Sequence, residues 1–443
     1  MLTKRGRELF ARRWQASLFR RRDFRLLWVG ETTSQFGSAV TWVALPLIAV
    51  QSLHAGPFEV ALLTAATWLP WLVIGLVAGA WVDRLPKRPL MLLCDVVSML
   101  LLASVPVADW CGVLTIGQLL AVALLAGVST VFFTSAYQAY LPALVAGEEL
   151  VEANAKLQGS ASAAQIGGPG LAGGIAALAG VASGLLADAV TFAVSAFCLR
   201  SIGSREPDVQ AAPERRDLRR EAMDGLRFLF TDPYMRPVAL AAAVGNLCLT
   251  GMDSLLIYFL VRIVGVDSGV AGALMASVGV GGLLGALCAR RLAGRLGTAR
   301  AVLCCYVVGL PFMLLVPLTR PGIGLVLFAG YGVMAVGMVA GNVVYDGFVQ
   351  RYTPPEMMGR IAASVSTVSY CCMPVGAVLA GALGSLAGVR VALWVMATGL
   401  VATGGLLLCS PYRRLRDLPT TYSGSPGREH QPEPASNTTS QQA

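Results

Sequence analysis

Five carboxylic acids stand inside long apolar stretches of this 443-residue chain. They are Glu31, Asp95, Asp188, Asp253 and, near the end of its stretch, Asp346. An ionisable side chain at the centre of an apolar helix costs roughly 2.5–3.5 kcal/mol to insert into a membrane, so each of them is a functional candidate. Both histidines fall outside these stretches, and proton exchange within them would therefore depend on carboxylates.

Two of these acids belong to polar stripes whose members are spaced four and three residues apart, which places each stripe on one face of a helix. The stripes are Glu31, Gln35 and Ser38 in one stretch, and Asn246, Thr250 and Asp253 in a later one. A polar face on an apolar helix either lines a polar cavity or forms hydrogen bonds to a neighbouring helix. The spacing alone leaves both interpretations open.

The elements that must hold these side chains are expected to be membrane helices. The chain is 56% hydrophobic and only 13% charged, whereas a soluble domain carries about 25% charged residues. A spanning helix needs about 20 mostly apolar residues. Twelve stretches meet that length, at about 26–50, 58–81, 89–108, 114–136, 159–179, 182–201, 237–261, 269–289, 300–318, 322–345, 361–386 and 389–411. The sequence therefore predicts an all-α integral membrane protein with twelve transmembrane helices.

The basic residues fix the expected orientation. If the N-terminus lies inside, 31 of the 34 lysines and arginines fall in cytoplasmic segments, and only Arg262, Arg320 and Arg390 fall outside. Cytoplasmic loops carry such an excess, so we expect both termini in the cytoplasm and the helices in a plasma membrane. The same distribution accounts for the net charge of +9, because the basic residues lie at the cytoplasmic side of the lipid bilayer. We therefore expect no nucleic acid partner.

The chain also repeats itself. Residues 75–84 are echoed by residues 281–290, an offset of 206 positions, and residues 137–140 are echoed by residues 345–348 at an offset of 208. A nearly constant offset predicts two parallel, pseudo-symmetric six-helix bundles. The expected parts are a basic N-terminal arm (1–25), a first bundle (26–201), a cytoplasmic linker (202–236), a second bundle (237–411) and a disordered cytoplasmic tail (412–443).

Several classes of chemistry are not expected. The sequence G-x-x-x-x-G-K-S/T does not occur, which disfavours direct use of ATP. The ten cysteines include no C-x-x-C pair, so we expect no metal site, and no cofactor is indicated. The apolar stretches hold no Ser/His, Cys/His or H-E-x-x-H arrangement, and we therefore do not expect an enzyme.

The loop after the second stretch resembles the signature G-x-x-x-D-R/K-x-G-R/K-R/K of the major facilitator superfamily. Residues 79–88 read GAWVDRLPKR, with proline at the second glycine of the signature. In that family the loop latches the two bundles together on the cytoplasmic side while the cavity opens outward. The resemblance therefore implies a latch that consists of Gly79, Asp83, Arg84, Lys87 and Arg88, in which Gly79 allows close helix packing.

Other segments resemble drug and proton antiporters of this superfamily that are related to macrolide and siderophore exporters. These segments are residues 138–155, 188–192 and 350–354, together with GGPGLAGG at 167–174, which resembles the antiporter motif through Gly168, Pro169 and Gly173. Two departures stand out: Tyr137 replaces a common arginine, and Ser38 replaces a common aspartate. The resemblance implies proton-coupled efflux of amphipathic small molecules by a monomer that works by alternating access.

The resemblance also ranks the candidate residues, because helices 1, 4, 7 and 10 line the cavity in this superfamily. It implies that Glu31, Gln35, Asn246, Thr250 and Asp253 serve substrate binding and proton coupling, with Asp253 or Glu31 as the proton switch. Asp95 and Asp188 are expected to cap helices or to bond between them. An uptake symporter on the same fold and a membrane scaffold or sensor that transports nothing remain as alternatives.

Overall fold

The computed structural model describes residues 18–145, 147–204, 227–321, 328–353 and 355–419. These residues form twelve long helices and no strand. In chain order the helices are α1 (Arg22–Gln51), α2 (Pro57–Val82), α3 (Lys87–Trp110), α4 (Ile116–Leu144), α5 (Leu150–Ala179), α6 (Ala182–Ser201), α7 (Met235–Tyr258), α8 (Ser268–Leu296), α9 (Thr298–Gly309), α10 (Ala329–Tyr352), α11 (Pro355–Leu386) and α12 (Val389–Leu408).

Eleven of the described helices are long and apolar enough to cross a membrane. The remaining one, α5, has 30 residues but is rich in glycine and begins with a polar turn. It starts at Leu150, whereas the sequence predicted a start near residue 159. The extra turns carry the pair Lys156 and Glu152, whose side chains meet at 2.6 Å one helical turn apart. Such pairs extend a helix beyond its apolar part.

Two helices change their hydrogen-bonding pattern near one end. Helix α7 passes into a wider π-type turn over Phe259–Val264. Helix α9 gives way to a tighter 3-10 turn over Leu310–Leu315, whose second residue is Pro311. Proline lacks the N–H that the regular helix would use, so the ladder is interrupted at that point.

The two halves of the chain pack their helices in the same pattern. In the first half α1 packs on α5 and α6, α2 packs on α4, and α3 packs on α4 and α6. In the second half α7 packs on α11 and α12, α8 packs on α10, and α9 packs on α10 and α12. Each pair in one half has its counterpart six helices later. The predicted class, two pseudo-symmetric six-helix bundles, is confirmed.

The bundles meet chiefly where α2 packs on α11 and where α5 packs on α8. We call the membrane face from which α1 starts at Arg22 the terminal face and the other one the opposite face. Two hydrogen bonds join the bundles at the opposite face: Gln51 Nε2 donates to Ser268 Oγ at 3.0 Å, and Arg262 Nη2 donates to the Val50 carbonyl at 2.6 Å. The opposite face is therefore closed.

The chain beyond α12 stays packed on the second bundle. Tyr412 is fully buried in a short 3-10 helix, and its hydroxyl donates to the Tyr234 carbonyl at 3.0 Å. Asp417 accepts a hydrogen bond from the backbone N–H of Thr298 at 2.9 Å, which satisfies a free donor at the start of α9. The tail predicted to be disordered from residue 412 thus begins with a packed segment. Residues 420–443 lie outside the described part, as do 1–17.

We expect Tyr412→Ala to lower the stability of the second bundle. Removing a fully buried aromatic ring costs about 3–5 kcal/mol, because a cavity replaces its contacts. The thermal unfolding midpoint of the purified protein in detergent measures this loss. Arg413→Ala is the matched control, since Arg413 is exposed and its truncation should change stability by less than about 0.5 kcal/mol. Equal midpoints for the two variants would contradict a packing role for Tyr412.

Candidate transport cavity

A cavity of about 310 Å³ lies among the helices of the first bundle and reaches the second bundle at α7 and α8. Small-molecule sites occupy about 300–1,000 Å³, so this cavity is of sufficient size. Four acids line it: Glu31, Asp95, Asp188 and Asp253. None of the described residues along its wall is a lysine, an arginine or a histidine. The cavity is acidic and offers no fixed positive charge.

The α1 stripe faces the cavity as its spacing predicts. Glu31, Gln35 and Ser38 line the wall, and Ser34 and Thr41 extend the stripe by further hydroxyls. Gln35 Nε2 donates to Glu31 Oε1 at 2.7 Å, one turn along the helix. Ser38 presents a neutral hydroxyl to the cavity.

The α7 stripe is only partly in the cavity. Asp253 lines it and accepts a hydrogen bond from the Tyr331 hydroxyl of α10, which ties two helices of the second bundle together. Thr250 is buried and Asn246 is half-buried, and neither of them lines the cavity. The cavity is displaced toward the first bundle and reaches α7 only at Asp253 and Ile257, one turn apart. A shared helix face was therefore not enough to bring all three polar residues to the cavity.

Asp188 of α6 is a bonding residue between helices, as was expected. Its carboxylate accepts hydrogen bonds from Thr41 of α1 at 2.5 Å and from Thr191 of its own helix at 2.9 Å. A Cβ at Gly37 would collide with Asp188 and Thr191, so this glycine lets α1 approach α6 closely. Asp188 therefore lines the cavity, but each of its carboxylate oxygens already accepts a hydrogen bond from a threonine.

Asp95 of α3 lies beside the side chain of Ser195 on α6, the kind of neighbour that the expected bonding between helices requires. Its side chain is fully buried, and neither oxygen has a hydrogen-bond partner among the described residues. Glu31 of α1 is close enough to interact with it electrostatically. The sequence analysis named Asp95 as a candidate but did not expect it in the cavity, although Asp95, Ser98 and Leu102 follow the same three- and four-residue spacing as the two stripes and all line the cavity.

Two basic residues of the loop predicted to be a latch, Lys87 and Arg88, form hydrogen bonds within the first bundle. Lys87 Nζ donates to the carbonyls of Asp83 and Leu85, both at 2.9 Å. Arg88 donates to the carbonyls of Leu199 and Arg200 at 2.8 and 2.6 Å, which caps the end of α6. Asp83 and Arg84 make no ion pair within the described residues.

Close helix packing was expected at Gly79. Among the described residues, no atom comes within 4 Å of the place where a Cβ on Gly79 would stand. The bundles are joined at the opposite face, and the loop with Gly79 and Asp83 lies at the terminal face. In this conformation the loop therefore forms no latch at Gly79.

The glycine-rich element of α5 lies at a contact between three helices. A Cβ on Gly168 would collide with Ala39 of α1. A Cβ on Gly173 would stand 2.8 Å from the Ser268 carbonyl and 3.1 Å from the Gly272 Cα, both of them on α8. Small residues at such contacts allow helix backbones to approach closely in membranes. This element forms the seam between the bundles at the opposite face.

Twelve helices in two like bundles surround the acidic cavity, and the sequence comparisons show that the chain is a membrane transporter of the major facilitator superfamily. The fold agrees with the crystal structure of the nucleoside transporter NupG at a TM-score of 0.71 and 12% identity, over 87% of this chain and 98% of that one. The sequence model described as transmembrane secretion effector matches residues 15–437, and the chain belongs to that family.

Two curated relatives cover most of this chain. The multidrug efflux pump Tap of Mycolicibacterium fortuitum is 28% identical over 398 residues, which cover 87% of this chain and 94% of that protein. The enterobactin exporter EntS of Citrobacter koseri is 27% identical over 425 residues, which cover 91% of this chain and 95% of that protein. The chain is thus similar along its length to proteins named as exporters.

Proposed function

We propose that this protein exports amphipathic small molecules from the cytoplasm in exchange for protons, by alternating access and as a monomer. The acidic cavity without a lysine, arginine or histidine among its described lining residues carries this proposal. Carboxylates in an apolar surrounding can bind and release protons, and nothing on the described wall would neutralise them permanently. The names of the relatives, a multidrug efflux pump and an enterobactin exporter, support export.

The orientation of the chain supports entry of cargo from the cytoplasm. The excess of lysine and arginine on the terminal face assigns that face to the cytoplasm and the opposite face to the outside of a plasma membrane. The hydrogen bonds of Gln51 and Arg262 close the outer end. This conformation is then the inward-facing one, in which the signature loop with Asp83 is unlatched and an exporter receives its cargo.

The lining of the cavity suits molecules that are partly polar and partly aromatic. Hydroxyl and amide groups of α1, α2 and α4 alternate there with the rings of Trp42, Trp68, Phe133 and Phe192. Aromatic faces bind flat apolar groups and attract cations. A cargo of this kind would place its rings against these side chains and its polar atoms against the hydroxyls.

The proton would be carried by a carboxylate that changes its surroundings during the cycle. The proposed group is Glu31 or Asp253, since both line the cavity, on helices of different bundles. Dry surroundings favour the neutral acid, and wet or cation-paired surroundings favour the carboxylate. Tilting of the bundles changes those surroundings and so couples proton movement to cargo movement.

Accumulation of ethidium in cells with the intact and the deleted gene tests the direction of transport. We expect lower accumulation when the gene is intact, and we expect proteoliposomes to accumulate ethidium against its gradient only when a pH gradient is applied. A pH gradient of about one unit contributes about tenfold to the cargo gradient for each coupled proton. An uptake symporter would raise accumulation in the cells, and a scaffold would leave it equal in both strains. Either result would overturn the proposal.

A further inference from the structure

Two carboxylates of the cavity are left without the partners that the other two have. Asp188 accepts from Thr41 and Thr191, and Asp253 accepts from Tyr331. Both oxygens of Asp95 and the Oε2 atom of Glu31 are buried and have no hydrogen-bond partner among the described residues. Asp95 has no exposed surface, although it lines the cavity wall. The unsatisfied acceptors of the cavity therefore concentrate in one pair of acids.

The packing of α1, α3 and α6 brings these two acids together. A Cβ on Gly30, the neighbour of Glu31, would lie 3.3 Å from the Cα of Ser195 on α6, so that α1 and α6 are in close contact here. Ser195 is also a neighbour of Asp95, and Asp95 interacts electrostatically with Glu31. Helix α6 thus packs against α1 beside Glu31 and against α3, which carries Asp95, and the two acids lie within electrostatic reach of one another.

Two carboxylates in this position cannot both be charged at low cost. Like charges in a dry site repel, and a buried charge without a partner costs several kcal/mol. Interacting carboxyl pairs in dry sites hold one proton between them, as in aspartic proteases. One shared proton would also provide a donor for Asp95 and for the Oε2 atom of Glu31.

No described basic side chain along the cavity could neutralise the second negative charge in place of that proton. The other titratable groups that line the cavity or lie beside the pair are Cys94, Tyr137, Asp188, Cys198 and Asp253. The described basic side chains of α1, α3 and the helices packed against them do not line the cavity; they are Arg22, Arg25, Lys87, Arg88, Lys156, Arg200 and Arg236. Lys156 of α5 pairs with Glu152 at 2.6 Å and lies over the ring of Phe19 at 4.0 Å. Tyr137 interacts electrostatically with Glu31. The described groups around the pair are therefore neutral, acidic or already paired.

We propose that Asp95 and Glu31 form a two-carboxylate site that binds one proton and carries it through the transport cycle. Asp253, which lines the cavity from the other bundle and accepts the hydrogen bond of Tyr331, is then left to orient the cargo. The inference rests on the proton coupling of the proposed function and adds Asp95 to it as a residue that binds the transported proton.

Proteoliposomes that contain the full chain test this assignment with ethidium as the probe. Asp95→Asn should lower ethidium accumulation driven by a pH gradient of about one unit by about tenfold, the contribution of one proton. Exchange of ethidium at equal pH on both sides should persist, because exchange needs no net proton movement. Asp95→Glu should restore part of the gradient-driven transport. Asp109→Asn is the matched control, since it makes the same change on the same helix outside the cavity.

The infrared band of a protonated carboxyl group provides a readout that needs no cargo. We expect this band in the wild-type protein to weaken in both Asp95→Asn and Glu31→Gln and to stay unchanged in Asp109→Asn. The assignment would be overturned if Asp95→Asn kept coupled transport at the wild-type level, or if the band stayed unchanged in Asp95→Asn and Glu31→Gln. It would also be overturned if Asp95→Asn lost exchange together with gradient-driven transport. A sodium gradient that replaces the pH gradient would overturn it as well. Lack of any pH-driven transport by the wild type would instead contradict the proposed function.

Discussion

Gly173→Leu is expected to abolish transport, while Gly174→Leu, one residue further along, is expected to leave it within about twofold of wild type. A Cβ on Gly173 would stand 2.8 Å from the Ser268 carbonyl oxygen and 3.1 Å from the Gly272 Cα. Both neighbours are backbone atoms, so they cannot rotate away as a side chain can. A leucine there forces α5 and α8 apart, and we expect it to prevent closure of the opposite face.

The control residue makes the comparison stringent. No atom lies within 4 Å of a Cβ on Gly174, so the same leucine there meets open space. Both substitutions raise helix propensity by about 1 kcal/mol relative to glycine. Any difference between the variants therefore reports the contact with α8. The measurement is uptake of ethidium into proteoliposomes under a pH gradient.

Closure itself can be followed by cross-linking at the opposite face. The side chains of Gln51 and Ser268 are hydrogen-bonded at 3.0 Å. In a cysteine-free background, Gln51→Cys with Ser268→Cys should cross-link readily, and Gly173→Leu should suppress that reaction. Efficient cross-linking and normal transport by Gly173→Leu would show that the seam is not needed for closure.

Asp253→Asn is expected to reduce pH-driven transport by about 100-fold, the lower range for loss of a group that exchanges protons or orients a reacting partner. Tyr331→Phe should cost about tenfold, since a buried acceptor that loses its donor is destabilised by about 1–3 kcal/mol. The double variant should be no worse than Asp253→Asn, because the Tyr331 hydroxyl acts through the hydrogen bond that it donates to Asp253. Rates of pH-driven ethidium transport in proteoliposomes measure all three.

A second buried tyrosine provides the control for that cycle. Tyr306 donates to Asn342 Oδ1 at 2.7 Å between α9 and α10 of the same bundle, away from the cavity. Tyr306→Phe removes an equivalent hydrogen bond and should leave the transport rate close to wild type, with at most a loss of stability. Additive effects of Asp253→Asn and Tyr331→Phe, or an equal loss in Tyr306→Phe, would contradict the role given to the Asp253–Tyr331 pair.

The fold could be predicted from the sequence because the membrane leaves few solutions. Every backbone group inside a bilayer must be paired within the protein, so an apolar stretch of sufficient length becomes a helix. The offset of 206 between residues 75–84 and 281–290 then indicated two like halves, which the packing of α1 on α6 and of α7 on α12 confirms. The start of α5 was predicted too late because the prediction followed apolar residues. The first turns of α5, which include Glu152, are polar and nevertheless helical.

The cavity was only partly predictable, since a helix face does not state what lies opposite to it. Spacing placed Glu31 and Gln35 on one face of α1, and that face lines the cavity. The same spacing in α7 brought Asp253 to the cavity and left Thr250 in packed surroundings. Asp95 was ranked low because its helix was expected to lie outside the cavity. Only the contact of α3 with α4 and α6 shows that it faces the same wall as Glu31.

The latch residues illustrate a different limit. Asp83, Lys87 and Arg88 occupy the positions that the superfamily signature requires, but a latch between bundles exists only in one of two conformations. The structure describes the conformation that is joined at the other face. A sequence encodes both conformations at once, so its motifs cannot tell which contacts are made in either of them.

The contact of Gly173 with Gly269 and Gly272 has a consequence for the speed of the transporter. A contact between glycine backbones buries little apolar surface, and the hydrophobic contribution grows with the area that is buried, at about 25 cal/mol per Å². Separating the two helices therefore costs little free energy. Interlocked leucines would instead stabilise the closed conformation so strongly that the open one would be rarely populated. A weak contact between α5 and α8 suits a transporter in which this contact would form and break in every turnover.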